Sequence, residues 1–524
     1  MRKLRIGVID LAAKGPTRAL WARVMNASLA SIMPQAVAVW CREEGHDVTF
    51  LCYTGFEDLA AELPPEVDLV FIGAFTEAAQ LAYALSNLFR SRGAVTVIGG
   101  PHARCYPQDA QKYFDYVLGF TDKPVIREVL NDCAQHRPLG VRISAPRQPE
   151  EIPGVRERWD FINANLQKAH LIKIVPMLGS VGCPYTCSFC IDSTVPYQPL
   201  DFGVMKEDLR FLLTKFRRPL VGWHDPNFGV RFDQFMDVIE DAVPPGSIDF
   251  IAESSLSLLS EPHMIRLKKN GFKALLPGIE SWNDLNEKSR TGPAHGMEKV
   301  RRVSEHVNMI LRYVPYIQTN FVLGLDVDTG AEPFDLTKRF VDLTPGAFPG
   351  YSLLSAFGEA APVNFEYQRA NRVIPVPFHF LNNNSAMNLK PANYTWPEFY
   401  EHIIGLTRYT FAPRAIARRV AATSAFIPRW LNVVRAVSSE GYGRIQHYGE
   451  VLRSLEADRP FRDFLEQETT EVPRFFLERV RKDLGPMWDW LPAGALDHNA
   501  NAYFQSEEVT EAPAVEAFRR AANE

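Results

Sequence analysis

Three cysteines, Cys183, Cys187 and Cys190, stand together in the run GSVGCPYTCSFC at residues 179–190. A C-x3-C-x2-C spacing on one tight loop lets three thiolates ligate three irons of a 4Fe–4S cube. The fourth iron then has no protein ligand and is open to an exchangeable one. Gly182 and Pro184 suit a chain that must wrap closely. Zinc is the other metal that thiolates favour, but it wants a closed site of four ligands. The fourth would have to be His170 or His224, and neither stands at the spacing of a zinc finger. The cluster is the better reading. Cys41, Cys52, Cys105 and Cys133 are scattered singly, as inert core thiols are. Seven cysteines in 524 residues, an odd number, argue against a secreted disulfide framework. None follows Cys190, which leaves no second cysteine-ligated cluster for the C-terminal half.

The elements that must position this loop follow from hydrophobic patterning. Short apolar runs at 4–10 (LRIGVID), 48–52, 67–73, 95–99 (VTVIG) and 116–119 alternate with helical patterns at 28–44, 77–92 and 122–133. This predicts a parallel, doubly wound sheet, with ligands held outside the carboxyl ends of its strands. Pro34 is a candidate kink in the first of those helices. Residues 136–170 are rich in proline and polar side chains and read as a linker. A second series of runs, at 171–178, 220–223, 248–254, 274–279, 317–325 and 351–356, alternates with helices. Six such strands predict a partial parallel barrel whose chemistry gathers at the strand C-termini. The expected organisation is therefore α/β. A Rossmann-like domain spans 1–135, the linker 136–170, the partial (β/α)6 barrel 171–360, a mainly helical region 361–500 and a polar tail 501–524.

The cysteine run resembles the signature of the radical S-adenosylmethionine (SAM) superfamily, including the aromatic Phe189 before the third cysteine. The resemblance implies that SAM binds the open iron and is cleaved to a 5′-deoxyadenosyl radical. WHDPNFG (223–229) resembles a strand-end motif of the cobalamin-dependent branch, with Asp225 in the polar position. FIAES and GIES place Glu253 and Glu280 at the ends of the third and fourth barrel strands. FVLGL (321–325) resembles the glycine-containing motif near adenine, with Gly324. Phe189, Asp225, Glu253, Glu280 and Gly324 are thus the implied SAM contacts. For each carboxylate a capping or solvent-facing role competes with ligand contact.

The N-terminal segment lacks a GxGxxG fingerprint after its first strand, which weakens a dinucleotide reading. VIGGPHARC (97–105) and YVLGF (116–120) resemble the cobalamin-binding domain that precedes many radical SAM barrels. The implied cobalamin contacts are Ala12, Gly15, Gly73, Thr76, Gly99, Gly100, His102 and Phe120. Some cobalamin proteins carry D-x-H-x-x-G after the first strand. Here Asp10 and Gly15 fit, but Ala12 stands at the histidine position, and a methyl cannot donate to cobalt. A lone loop histidine such as His102 is more often solvated than ligating.

The resemblance implies an enzyme that uses a 4Fe–4S cluster, SAM and cobalamin to methylate an unactivated carbon. The alternatives are an oxidative cyclase or rearrangement enzyme without methyl transfer, and a non-catalytic iron–sulfur or corrinoid sensor. An external flavodoxin- or ferredoxin-like electron donor is implied. A formal charge of −5 argues against a general nucleic-acid binder. No run approaches the roughly 18 apolar residues of a membrane span, so a cytoplasmic location is expected, with peripheral membrane contact left open. Dense aromatics in the C-terminal half suit a large, apolar small-molecule substrate or, equally, a packed core. Five arginines at 414–435 read as solvated groups on a buried helix pair interrupted by Pro428, in preference to a membrane-facing basic helix.

Overall fold

The computed structural model describes residues 2–59, 61–133, 140–283 and 294–503. The first apolar runs become β1 (Arg5–Leu11), β2 (Asp47–Tyr53), β3 (Leu69–Gly73), β4 (Val95–Gly99) and β5 (Tyr116–Leu118). With β6 (Val141–Ile143) they form a wholly parallel sheet in the order β2-β1-β3-β4-β5-β6. Both faces of the sheet are covered, which is why its strands read as continuous apolar runs. Ile6 and Val8 enter one apolar cluster, while Ile9 and Leu11 of the same strand enter the other. Connections are made by α1 (Leu20–Met25), α2 (Ile32–Glu43), α3 (Ala79–Ser91), α4 (Pro101–Cys105), α5 (Pro107–Ala110), α6 (Lys123–Cys133) and α7 (Trp159–Lys168). Pro34 does not kink α2. It lies in the first turn, where a missing N–H costs no helical hydrogen bond. The strand order reverses between β1 and β3, and the crevice at such a switch point is where open sheets bind ligands.

The segment read as a linker carries β6 and α7. β6 is three residues long and only half-buried, so it has little apolar signal; its pairing to β5 is what orders it. The second series of runs forms β7 (Ile174–Met177), β10 (Leu220–Trp223), β11 (Asp249–Ser255), β12 (Phe272–Glu280), β13 (Tyr316–Leu323) and β14 (Phe348–Leu353), all parallel and in sequential order. Between β7 and β10 lie β8 (Ser180–Val181) and β9 (Gln198–Pro199), which pair with each other. β7 and β14 are the two edges and do not pair, so the barrel is incomplete. α8 (Phe202–Lys215), α9 (Phe232–Ala242), α10 (Glu261–Lys269), α11 (Gly296–Leu311) and α12 (Glu332–Leu343) cover its outside.

The remainder is helical: α13 (Pro362–Arg369), α14 (Trp396–Thr410), α15 (Pro413–Ala422), α16 (Phe426–Val437), α17 (Tyr442–Ala457), α18 (Arg459–Leu465) and α19 (Arg474–Leu484). Trp396, Phe399 and Tyr400 bury one side of α14 in the common core. Residues after α19 return to the first domain, where Gln80 and Asn87 of α3 donate to the carbonyls of Ala495 and Trp490. The expectation for 414–435 is corrected in two ways. The helices break at Thr423, before Ala425, not at Pro428, which sits in the first turn of α16. Arg419 is internal, donating to the carbonyls of Ala347 and Thr410, while Phe426 and Ile427 face outward. Most of the expected polar tail, 504–524, lies outside the described residues.

Candidate functional site

The cysteine loop hangs from the end of β7 and is closed at its base by protein alone. Ser180 pairs with Pro199 and Val181 with Gln198, so both ends of the loop are tied together. Gly182 follows at a φ of +70°, and a side chain there would run into the carbonyl oxygens of Pro196 and Val195. Only glycine makes this turn. Within the loop, the Cys183 N–H donates to the Val195 carbonyl at 3.2 Å, and the Cys190 N–H to the Cys187 carbonyl at 2.9 Å. The Asp192 N–H donates to the Cys190 sulfur at 3.5 Å. Such N–H···S contacts are among the levers that set cluster potential. All three thiols are half-buried, whereas Cys41, Cys52 and Cys105 are wholly buried. Among the described residues no three His, Cys, Asp or Glu side chains close on one metal position. A cubane asks something different of its thiolates, one for each of three irons.

Two strand ends brace the loop. Asp225, just past β10, is buried; its carboxylate accepts from the Gly179 N–H at 3.0 Å and the Ser180 hydroxyl at 2.5 Å. Burial pushes its pKa up to about 6. Tyr185 of the loop hydrogen-bonds Ser257 beyond β11 at 2.5 Å. Glu253 in β11 lines the adjoining cavity. Glu280 ends β12 at a φ of +65°, where the register with β13 shifts, and its carboxylate folds back over Gly278. A non-glycine residue held in that region stores strain of about 1–3 kcal/mol, and such strain concentrates at functional sites.

A single cavity of about 1780 Å³ joins the two sheets. Its floor in the first domain includes Ala12, Gly73, Gly99, Gly100 and Phe120, at the switch point. On the barrel side it reaches Gly182 and Asp192 at the edges of the cysteine loop, and Asp225 and Glu253. Sites for one drug-sized ligand hold about 300–1,000 Å³, so this cavity has room for more than one occupant. Arg104 on α4 crosses between the halves. Its guanidinium lies 4.8 Å from the Phe120 ring and donates to the Ile191 carbonyl and the Asp192 carboxylate at 2.9 and 3.2 Å. Nothing in the sequence separated it from the other arginines.

Other expected contacts lie elsewhere. His102 is fully buried, hydrogen-bonded to the Tyr83 hydroxyl at 2.6 Å and packed between Tyr106 and Phe378. Burial pushes its pKa down to about 3; it is a buried histidine and not a solvated loop residue, and it does not line the cavity. Gly15 abuts the backbone of Asp483, which leaves no room for a side chain. Gly324 sits at a φ of +87° and makes space for Phe399 of α14, 2.8 Å from where its Cβ would stand; it does not line the cavity. Thr76 is buried and Phe189 is half-buried against the core; neither they nor Glu280 line the cavity.

No protein-family model matches the chain. It is 24% identical over 367 residues to bacteriochlorophyllide d C-12(1)-methyltransferase of Chlorobaculum tepidum, covering 66% of this chain and 78% of that protein. It is 23% identical over 396 residues to the C-8(2)-methyltransferase of the same organism, covering 68% and 83%. Among solved structures, the radical SAM methyltransferase TsrM of Kitasatospora setae, with cobalamin and a [4Fe-4S] cluster bound, superposes with a TM-score of 0.53 at 14% identity. That match covers 86% of this chain and 99% of TsrM. OxsB, a cobalamin-dependent SAM radical enzyme with aqua-cobalamin bound, gives a TM-score of 0.55 at 10% identity, covering 99% of this chain and 84% of OxsB. The fold is that of the cobalamin-dependent radical SAM enzymes.

Proposed function

We propose that the chain is a cobalamin-dependent radical SAM methyltransferase acting on an unactivated carbon of a large, apolar small molecule. The observation that carries this reading is the single cavity shared by the glycine floor of the first sheet and the residues that flank the cysteines, Gly182, Ile191 and Asp192; the three cysteines themselves lie beside it and do not line it. Its size and its continuity between the two halves suit reactants that must meet. The methyltransferases similar in sequence point the same way.

The residues present fit the groups that the reading requires. Cys183, Cys187 and Cys190 would hold the cluster, on a loop already closed without it. Ala12, Gly73, Gly99, Gly100 and Phe120 would face the corrinoid, with no side chain beyond Cβ at four of the five positions. When bound, the cluster supplies the electron that cleaves SAM, and the corrinoid supplies the methyl group. Asp225 is a positioning residue: it fixes the junction through which β7 feeds the loop. Glu253 offers a carboxylate to the cavity for the SAM amino group or ribose. Apolar walls, among them Phe75, Phe120 and Ile191, exclude water from the space where a radical must survive. A cytoplasmic site and a flavodoxin- or ferredoxin-like donor complete the reading.

Anaerobic purification with iron and cobalamin counting tests it. The expected result is about four irons per chain, lost in Cys187→Ala, and 5′-deoxyadenosine on reduction with SAM. Zinc in place of iron, or no 5′-deoxyadenosine, would overturn the radical reading. If a substrate is consumed with 5′-deoxyadenosine but without S-adenosylhomocysteine, methyl transfer is wrong and a cyclisation or rearrangement takes its place.

A further inference from the structure

The cavity has a second border, away from the cysteine loop, and that border is apolar and exposed. Phe426 and Ile427 of α16 are 81% and 63% exposed, Leu171 before β7 is 67% exposed, and Leu29 after α1 is 52% exposed. All four also line the cavity, so they form a mouth to it. The three segments meet there: Trp21 of α1 lies 6.4 Å from Trp430 of α16, and the Ser28 hydroxyl donates to the Ile172 carbonyl at 2.6 Å.

α16 is amphipathic the wrong way round for a soluble surface. It buries Pro428, Asn432 and Ala436 and turns Phe426, Val433 and Val437 to solvent. Those three and the half-buried Trp430 recur at i, i+4, i+7 and i+11, one stripe along the helix. Exposed apolar surface of this extent, contiguous with a cavity mouth, marks an interaction site.

Charge indicates what covers it. The whole chain has 62 acidic and 57 basic side chains. Residues 11–42, which include α1, carry Lys14, Arg18, Arg23 and Arg42 and no acid; residues 413–439, which include α16, carry five arginines and no acid. Arg419 and Arg435 are internal and Arg418 pairs with Asp342, but Arg18, Arg23, Arg414 and Arg429 are on the outside. An apolar face with a cationic surround and Trp near its centre is the pattern of a helix lying in the interface of an anionic bilayer. An acidic protein partner would answer the same charge; what favours lipid is that exposed apolar side chains, Phe426 and Ile427 among them, form the entrance to the cavity itself.

We propose that this rim docks the protein on an anionic phospholipid surface, with the cavity mouth turned toward the lipid. The contact is peripheral. Among the described residues no single helix is long and apolar enough to cross a membrane; the bent pair Trp21–Leu29 and Ile32–Glu43 is so by length and composition, but most of its second member is buried against the first sheet. The docking stands on exposure and charge, independently of the methylation chemistry. If both hold, the substrate is one that partitions into the bilayer and enters from it.

The test is co-sedimentation of the full-length chain with vesicles of phosphatidylcholine alone or mixed with phosphatidylserine, without SAM or substrate, so its failure says nothing about catalysis. Binding is expected to the mixed vesicles, with weakening as salt rises. Val433→Asp with Val437→Asp is expected to weaken it at least about tenfold, the scale of one buried valine. Arg23→Glu is expected to weaken it at least about fivefold, the scale of one charge at an anionic surface. Ile265→Asp on α10, which is similarly exposed but packs on α9, α11 and β12 and does not line the cavity, is expected to leave binding unchanged. Far-ultraviolet circular dichroism keeps folding defects separate from binding defects. The proposal falls if the unaltered chain ignores phosphatidylserine vesicles, or if the valine variant binds them equally well. It also falls if sedimentation velocity reveals a dimer that the valine substitutions abolish, since the face then belongs to a second copy.

Discussion

Gly99 and Gly100 allow contact with a corrinoid to be separated from backbone geometry. A Cβ added to Gly99 meets nothing nearer than Leu118 Cβ at 3.9 Å, and Gly99 is not at positive φ. Gly99→Ala is therefore expected to be neutral, or to gain up to about 1 kcal/mol by restricting the unfolded chain. Its methyl would project into the cavity that Gly99 lines. Gly100 differs: its φ is +94°, and a Cβ would stand 3.0 Å from the Ala74 carbonyl oxygen and 3.2 Å from the Ala74 nitrogen. Gly100→Ala should lose about 1–3 kcal/mol to that conformation alone. If a corrin face rests on this turn, the Gly99 methyl overpacks the contact. Overpacking costs about 1–3 kcal/mol, which is about five- to 150-fold in Kd. The assay pairs denaturant unfolding of the cobalamin-free protein with hydroxocobalamin titration followed by absorption. Gly99→Ala should unfold at an unchanged or slightly higher midpoint yet bind weakly, whereas Gly100→Ala should unfold early. Normal cobalamin binding by the bulkier Gly99→Leu would refute the placement of the corrinoid on this floor.

Asp10 and Arg104 supply two further tests. Asp10 is fully buried, accepts from the Ser31 N–H at 2.6 Å, and has its pKa pushed up to about 6 by burial. Its carboxyl binds its proton more tightly folded than unfolded, so stability falls as pH climbs from about 4 to about 6 and stays low above that. Asp10→Asn should thus gain on the unaltered protein over that interval, by up to about 3 kcal/mol at neutral pH; an equal difference at pH 5 and pH 7 would contradict this. Arg104→Ala removes the guanidinium from the Ile191 carbonyl and the Asp192 carboxylate, interactions of about 1.5–3 kcal/mol for charged hydrogen bonds. The expected outcome is a folded protein that loses iron faster to a chelator, and an unchanged rate would show that the clamp does not steady the loop.

Both sheets were legible because their strands are buried on two faces and so read as plain apolar runs. β4 and β10 fall on the expected residues, and α3 and α9 differ from expectation by two residues or fewer at each end, whereas α4, α5 and α8 were not expected. The cysteine loop was legible because its spacing is chemistry in itself. What failed depends on neighbours that a sequence does not display. β6 exists through its ladder with β5, not through composition. His102 follows two glycines at a strand end, a place that suits a ligand contact, yet the C-terminal Phe378 and the early Tyr83 close over it. Gly324 and Gly15 matched motifs but serve contacts with α14 and α19. For α16 the pattern predicts a buried helix, because periodicity gives the existence of an apolar face but not its direction.

Ser180–Val181 and Gln198–Pro199 tie the sixteen intervening residues into a ring whose join is backbone pairing rather than metal ligation. Losing any one thiolate therefore does not cut the ring, and Cys187→Ala is expected to keep that join while forfeiting the iron.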